Sequence, residues 1–260
     1  MSRTFKRLLA GEELVRVFAA GRLLHPAVFD VYGLVGGFHG FWLDQEHAAV
    51  TYDQIVLASV CARANQFDLF VRMAMTDYAQ ATQNLEAGAG GLMAARVESA
   101  EQAEEFIRWV KFAPRGRRGM NTGGRDALYS GKSPAQFAAD SNRDTLVAIQ
   151  IETLGALQQV SQIAAIDGVD LLFVGPSDLS QELGVLGQFN HESLWSAYGR
   201  VAEACQRHGK HWATIAIDPA FAHRAVNLGC RMLSFGMDIT TLRRGVEGIQ
   251  NTFAEFFPTR

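Results

Sequence analysis

Five apolar runs in this chain end in residues able to do polar chemistry. Phe41-Trp42-Leu43 leads into Asp44-Gln45-Glu46-His47, and Asp68-Leu69-Phe70-Val71 into Arg72. Leu146–Ile151 stops at Glu152, Leu171–Val174 leads into Gly175-Pro176-Ser177-Asp178, and Met232–Phe235 is followed by Gly236 and Asp238. Glu152 and Asp178 directly follow runs whose residues are nearly all apolar. A carboxylate there is desolvated, which is costly without a cation, and two hard oxygen donors suit Mg2+ or Mn2+. The structural alternative is a helix cap or first-turn acid favoured by the helix dipole, the role assigned to Asp238 and Asp53. Asp44 and Glu46 can orient or charge the His47 imidazole, a base near neutral pH. The plainer role for His47 is a hydrogen bond to a backbone carbonyl. Arg72 is either half of a salt bridge to Asp44 or Glu46, since buried arginines are rarely unpaired, or a planar donor for a substrate carbonyl or carboxylate. The turn Gly175–Ser180 opens a short helix whose free N–H groups suit a carboxylate; alone it is also an ordinary strand-to-helix turn. His39 and His211 stand before or at the start of runs and read as structural.

These residues need elements that bring them to one place. Leu14–Phe18, Gly40–Leu43, Asp68–Arg72, Gly91–Ala94, Leu146–Ile151, Leu171–Val174, Trp212–Ile215 and Met232–Phe235 read as strands buried on both faces, as in a parallel sheet. Helical patterns follow: Pro26–Leu34, Asp53–Ala64, Ala79–Ala87, Ala100–Val110, a helix starting at Ser133-Pro134, Gly155–Ala165, Leu194–His208, Ala220–Leu228 and Thr241–Phe253. Eight β–α units over 260 residues predict a (β/α)8 TIM barrel, with an open doubly wound sheet as second choice. The barrel consumes residues 1–260 as one domain. Function in a barrel lives where strands end, and that rim carries the polar residues above. Arg115–Gly131, rich in Gly and Arg, reads as a long loop.

Composition excludes other classes. Hydrophobic residues make up 48% and charged residues 20%, a core-forming mixture that rules out wholesale disorder. A net charge of −3 argues against a broad nucleic-acid surface. No apolar run reaches the ~18 residues of a membrane span, and residues 1–13 hold no signal core. Cys61, Cys205 and Cys230 lie far apart and are odd in number, which predicts reduced thiols and a cytoplasmic location. None of the four lysines, Lys6, Lys111, Lys132 and Lys210, follows a strand, which removes Schiff-base aldolase chemistry and leaves a metal as the natural electron sink. G-x-S-x-G and P-loop patterns are absent.

Taken in order, Phe41-Trp42-Leu43-Asp44-Gln45-Glu46-His47, Val71-Arg72, Glu86-Ala87-Gly88-Ala89, Gln150-Ile151-Glu152-Thr153, and Gly168-Val169-Asp170 through Gly175-Pro176-Ser177-Asp178-Leu179-Ser180 resemble a known family. It is the metal-dependent (class II) hydroxy-oxo-acid aldolases, the pyruvate aldolases of the HpcH/HpaI group within the citrate lyase superfamily. The resemblance implies a (β/α)8 barrel whose last helix swaps onto a neighbour, in a hexamer built as a trimer of dimers. It implies Glu152 and Asp178 as ligands of a divalent cation, Mg2+ or Mn2+, with Co2+ a further option. Arg72 would contact the oxo group of pyruvate and stabilise the enolate oxygen. His47 would be, or would position a water for, the general base, with Asp44 beside it. Glu86 would pair with the histidine across a subunit boundary. The backbone of Gly175, Pro176, Ser177 and Asp178 would hold the pyruvate carboxylate. The implied reaction is reversible cleavage of a 4-hydroxy-2-oxo acid to pyruvate, or a close 2-oxo acid such as hydroxypyruvate, plus an aldehyde, through a metal-bound enolate. The partners are then small molecules, with no nucleic acid and no membrane. A coenzyme A thioester lyase of the citryl or malyl type, or a non-catalytic pyruvate-binding scaffold, are the alternatives.

The chain departs from the family pattern in places. Ala95-Arg96 stands where Pro is common, Glu86 where Asp is usual, and Phe18 is the nearest candidate for a first-strand Trp beside the substrate methyl. The arginines of 115–126 are either binders of an acceptor carboxylate or phosphate or part of a solvated lid.

Overall fold

The apolar runs become eight strands: β1 Val15–Ala20, β2 Gly40–Asp44, β3 Asp68–Ala74, β4 Gly91–Ala95, β5 Leu146–Ile151, β6 Leu171–Val174, β7 His211–Ile215 and β8 Met232–Met237. In the computed structural model, which describes residues 4–257, every neighbouring pair is parallel, and β8 returns to β1 to close a (β/α)8 barrel. Side chains alternate between the barrel interior and the helix layer. Val17, Trp42, Phe70, Met93, Ala148 and Phe173 fill the interior, whereas Phe18, Phe41, Leu69, Val71, Ile149 and Leu172 belong to the core beneath the helices. The same two-residue period carries the interior face upward from Trp42 to Asp44, from Phe70 to Arg72, and from Ala148 through Gln150 to Glu152. Pairing of Asp44 with Arg72 in the β2–β3 register sets these two side by side.

A helix the sequence reading did not assign, α1 (Phe5–Ala10), closes the barrel from below. Phe5 is fully buried, packs edge-on against Phe70 at 5.6 Å, and Trp42 stacks above Phe70 at 6.5 Å. This aromatic column ends under Arg72, whose guanidinium carbon lies 4.9 Å from the Trp42 ring centre. The outer layer comprises α2 (Pro26–Val35), α3 (Tyr52–Ala64), α4 (Tyr78–Glu86), α5 (Ala100–Val110), α6 (Pro134–Asp144), α7 (Leu154–Gln158), α8 (Val160–Ala165), α9 (Pro176–Glu182), α10 (Glu192–His208), α11 (Pro219–Asn227) and α12 (Asp238–Thr252). Thr51, Ser99, Ser133, Thr153 and Asp218 cap their helices through side-chain oxygens. The single helix expected over Gly155–Ala165 is broken at Gln159 into α7 and α8.

The last helix differs from the rest. In α12 only Asp238 is buried. Leu242, Val246, Ile249 and Phe253, spaced four, three and four residues apart, form an apolar stripe that is about half exposed. Beside its start lies an open cavity of about 580 Å3 whose apolar lining includes Leu14, Ala222, Val226, Leu233 and Phe235. Among the described residues, no helix is long and apolar enough to cross a membrane.

Candidate active site

At the top of β2 and β3, Asp44 and Arg72 form a buried two-point ion pair. Arg72 Nε donates to Asp44 Oδ1 at 3.1 Å and Nη2 to Oδ2 at 2.7 Å. Asp44 Oδ1 also accepts the backbone N–H groups of Glu46 (3.0 Å) and His47 (3.2 Å), so one carboxylate shapes the turn that carries both. Burial acts against this carboxylate, but the hydrogen bonds and charge of Arg72 outweigh it and hold the carboxyl below its usual range. Glu46 Oε2 lies 3.2 Å from Arg72 Nη1 and 3.8 Å from His47 Nε2, yet has no hydrogen bond of acceptable geometry although it is buried. The His47 side chain is 61% exposed. Arg72 is thus half of a salt bridge to both Asp44 and Glu46.

Across the mouth, Glu152 is buried at the end of β5. Its Oε1 accepts the Arg96 N–H at 2.8 Å, and its Oε2 accepts from Gln150 Nε2. Arg96 presents that N–H from a left-handed conformation, φ +54°, uncommon for a residue with a side chain and a recurrent feature of functional rims. Burial, then the negative charges of Glu46 and Asp178, push the Glu152 carboxyl up to about 7, against the Arg96 hydrogen bond and the Arg72 charge. Asp178 stands in the first turn of α9 and is half-buried. Gly175 between them is required by space: a Cβ there would lie 2.6 Å from Glu152 Oε2 and 2.9 Å from Gln150 Nε2, although its backbone, φ −87°, suits any residue. Gln150, part of the motif Gln150-Ile151-Glu152-Thr153, has no role assigned from the sequence. The available signal was a polar residue inside an apolar run, two before Glu152 and so on the same face.

The donor set fits a divalent cation. Glu152 and Asp178 crowd like charge into a partly dry mouth, and Glu46 Oε2 and Gln150 Oε1 are buried acceptors without a hydrogen-bond donor. Among the described residues, no three His, Cys, Asp or Glu side chains are gathered into a metal cage. Two carboxylates with the remaining positions left to substrate and water is the arrangement Mg2+ favours.

Other expected residues fall elsewhere. Glu86, at the C-terminal end of α4 in the outer layer, accepts a hydrogen bond from Asn121 Nδ2 at 2.9 Å, whereas the ion-pair distance of His47 is to Glu46. Phe18 does not reach the mouth: it stacks on Tyr32 at 3.7 Å beneath the helices, because its parity on β1 is opposite to that of Val17 and Ala19. Asp238 is structural, its Oδ2 accepting the N–H groups of Gly21, Arg22 and Leu23. Lys6 and Lys132 pair with Asp170 and Asp140, while Lys111 and Lys210 donate to backbone carbonyls, all away from the mouth. The 115–131 segment is pinned rather than loose. Arg115 binds Glu104, Arg117 binds Glu105, and buried Arg118 pairs with Asp126 against the Phe112 ring. His39 is structural, accepting the Arg16 N–H at Nδ1.

Comparison with known proteins agrees with this geometry. A family model described as HpcH/HpaI aldolase/citrate lyase matches residues 39–245. A curated relative from Shigella boydii, the 5-keto-4-deoxy-D-glucarate aldolase, is 28% identical over 96% of this chain and 95% of its own length. An HpcH/HpaI aldolase from Desulfitobacterium hafniense superposes with a TM-score of 0.87 at 28% identity, covering 98% of both chains. An HpcH/HpaI aldolase/citrate lyase family protein from Burkholderia cenocepacia gives 0.87 at 26% identity, covering 95% of this chain and 97% of that one. The family depends on a divalent metal. With the barrel, the paired carboxylates and the family match in agreement, this chain belongs to the HpcH/HpaI aldolase/citrate lyase family and is a carbon–carbon lyase of the aldolase type.

Proposed function

We propose that the chain cleaves a 4-hydroxy-2-oxo diacid reversibly into pyruvate, or a close 2-oxo acid such as hydroxypyruvate, and an aldehyde, using Mg2+ or Mn2+ held by Glu152 and Asp178. The observation that carries this reading is the facing of Arg72, locked by Asp44, and Glu152, whose carboxyl is driven up to about 7 by burial and by Glu46 and Asp178. The relatives' substrate name supports the class. Glucarate is a six-carbon diacid. With oxo at carbon 5 and carbon 4 deoxygenated, counting from the oxo end gives a 2-oxo acid with a 4-hydroxyl.

The cation, when bound, supplies Lewis-acid polarisation of the oxo group. The chain's own residues do the rest. The N–H groups of Ser177 and Asp178, unpaired by position in the first turn of α9, receive the substrate carboxylate. Arg72 donates to the oxo oxygen, where negative charge grows as the bond breaks. His47, directly or through a water, takes the proton from the 4-hydroxyl. The C3–C4 electron pair moves into the enolate, the former C4 leaves as the aldehyde carbonyl, and a proton added at C3 completes pyruvate. Glu86 acts from a neighbouring subunit, pairing with His47 there. The exposed stripe on α12 and the apolar cavity beside β8 support a homo-oligomer, with the hexamer of three dimers as its form. The coenzyme A reading has less support, since a citrate lyase β subunit at 18% identity and TM-score 0.57 shares only the fold.

Exchange of pyruvate C3 hydrogens in D2O, followed by NMR, tests the enolate step without any aldehyde. Exchange is expected to stop on metal removal and return with Mn2+. Exchange indifferent to the metal would sink the proposal.

A further inference from the structure

Arg22 is a cation at the mouth that the mechanism above leaves idle. It sits in the turn after β1, and that turn is heavily fixed. Buried Asp238 takes the N–H groups of Gly21, Arg22 and Leu23 on one oxygen at 2.9, 2.8 and 2.7 Å. A Cβ at Gly21 would come within 2.8 Å of Ala48 Cβ, so the turn lies directly against the segment carrying His47. The side chain is fixed as well: Nη2 donates to the His47 carbonyl at 2.7 Å. Among the described residues, no carboxylate forms an ion pair with the Arg22 guanidinium, whereas Arg72 is held by two. Arg22, His47, Asp44, Arg72 and Met237 line one cavity of about 90 Å3, room for a few water-sized groups.

Arg72 addresses the oxo group, His47 the 4-hydroxyl, and Arg22, seated on the His47 backbone, stands next to whatever lies beyond C4. A guanidinium with free N–H groups recognises a planar anion at two points. We infer that Arg22 is a specificity-determining residue that binds the terminal carboxylate on the aldehyde half of the substrate. This rests on the aldolase reading above. It names the residue that holds the far carboxylate of the diacid, which that reading assigns to no group. Arg96, also exposed, lines a separate groove with Met75, Glu98, Glu105 and Trp109.

The test compares kcat/KM for two substrates of the Mn2+-loaded enzyme: the six-carbon 4-hydroxy-2-oxo diacid, and the same chain ending in a primary alcohol. Pyruvate release is read with lactate dehydrogenase. The wild type is expected to prefer the diacid, and Arg22→Met to lower that ratio about ten- to a hundredfold, the worth of a charged hydrogen bond or two. Arg22→Lys should recover part of the ratio. A ratio of about one in the wild type overturns the inference. So does an equal loss on both substrates in Arg22→Met, the mark of a residue that only props His47, and so does a ratio that collapses in Arg96→Met instead. C3 exchange of pyruvate in the wild type separates the two readings. Exchange with no diacid preference defeats the Arg22 assignment alone, whereas no exchange defeats the aldolase reading and this inference with it.

Discussion

Asp44→Asn probes the feature on which the site depends. The asparagine keeps Oδ1, and with it the hydrogen bonds from Arg72 Nε and from the backbone N–H groups of Glu46 and His47. It replaces Oδ2, the 2.7 Å acceptor of Arg72 Nη2, with an NH2 group, so donor meets donor. One charge-assisted hydrogen bond is lost, about 1.5–3 kcal/mol. Glu46, 3.2 Å from Nη1, remains as counter-charge and keeps the loss below the roughly 3–5 kcal/mol of a fully broken buried pair. The net expectation is about 2–3 kcal/mol, or about 5–10 °C in Tm for a chain of this size. Pyruvate C3 exchange should fall about a hundredfold, because Arg72 loses its aim. The pH dependence has a definite sign. Arg72 holds the Asp44 carboxyl below the ordinary 3.8, so its stabilisation is present above that value and is lost as pH falls through the lower, folded-state value. The gap between wild type and Asp44→Asn should therefore close in acid. Urea denaturation across pH 3 to 7 and the NMR exchange rate check this. A variant as stable and as fast as wild type, or a gap that widens in acid, would refute the reasoning.

Three further outcomes follow from the same geometry. Gly175→Ala leaves the backbone relaxed but pushes on Glu152, so Mn2+ affinity measured by electron paramagnetic resonance should drop at least about tenfold, within the range for displaced metal-site neighbours; unchanged affinity would remove Glu152 from the ligand set. Burial raises the Asp68 carboxyl to about 6, so its contribution is full below 3.8 and is lost as pH rises through 6. Between pH 4 and 7 the wild type should lose about 2–3 kcal/mol relative to Asp68→Asn, read from denaturation midpoints. Val246→Asp with Ile249→Asp should reduce the mass seen by light scattering while far-ultraviolet circular dichroism keeps its barrel signature; an unchanged mass would show that the α12 stripe is not an interface.

The strands were legible because parallel strands buried on both faces are written as apolar runs, and all eight were placed within a few residues. The polar residues at their ends were legible for the same reason, standing out against Leu, Ile, Val and Phe. What escaped notice depended on side-chain parity or on distant contacts. Phe18 looked available until its alternation with Val17 and Ala19 placed it outside the barrel. The role of Gln150 depends on its hydrogen bond to Glu152, which the sequence does not display. The plug α1 is six residues long and carries no side-chain cap, so its period is too brief to read; its evidence is the burial of Phe5 and Leu9. Asp238 was correctly assigned a structural role, but its partners lie 215 to 217 residues earlier, beyond any local pattern. The arginines of 115–131 suggest either anion binding or a loose lid; Arg115 and Arg117 are instead tied to Glu104 and Glu105 of α5, and Arg118 to Asp126 within the segment.

The contact between Asp238 and the first turn of the barrel has a consequence for how the protein is made. The residues that close the ring, β8 and the head of α12, leave the ribosome after the other seven strands. Until they emerge, β1 lacks one of its two neighbours and the turn 21–23 lacks its acceptor. Asp44 and Arg72 are both made before Asp238, but the turn beside His47 gains its acceptor only once Asp238 has emerged. A nascent chain arrested before Asp238 thus carries most of the chemistry of the site without the frame that arranges it.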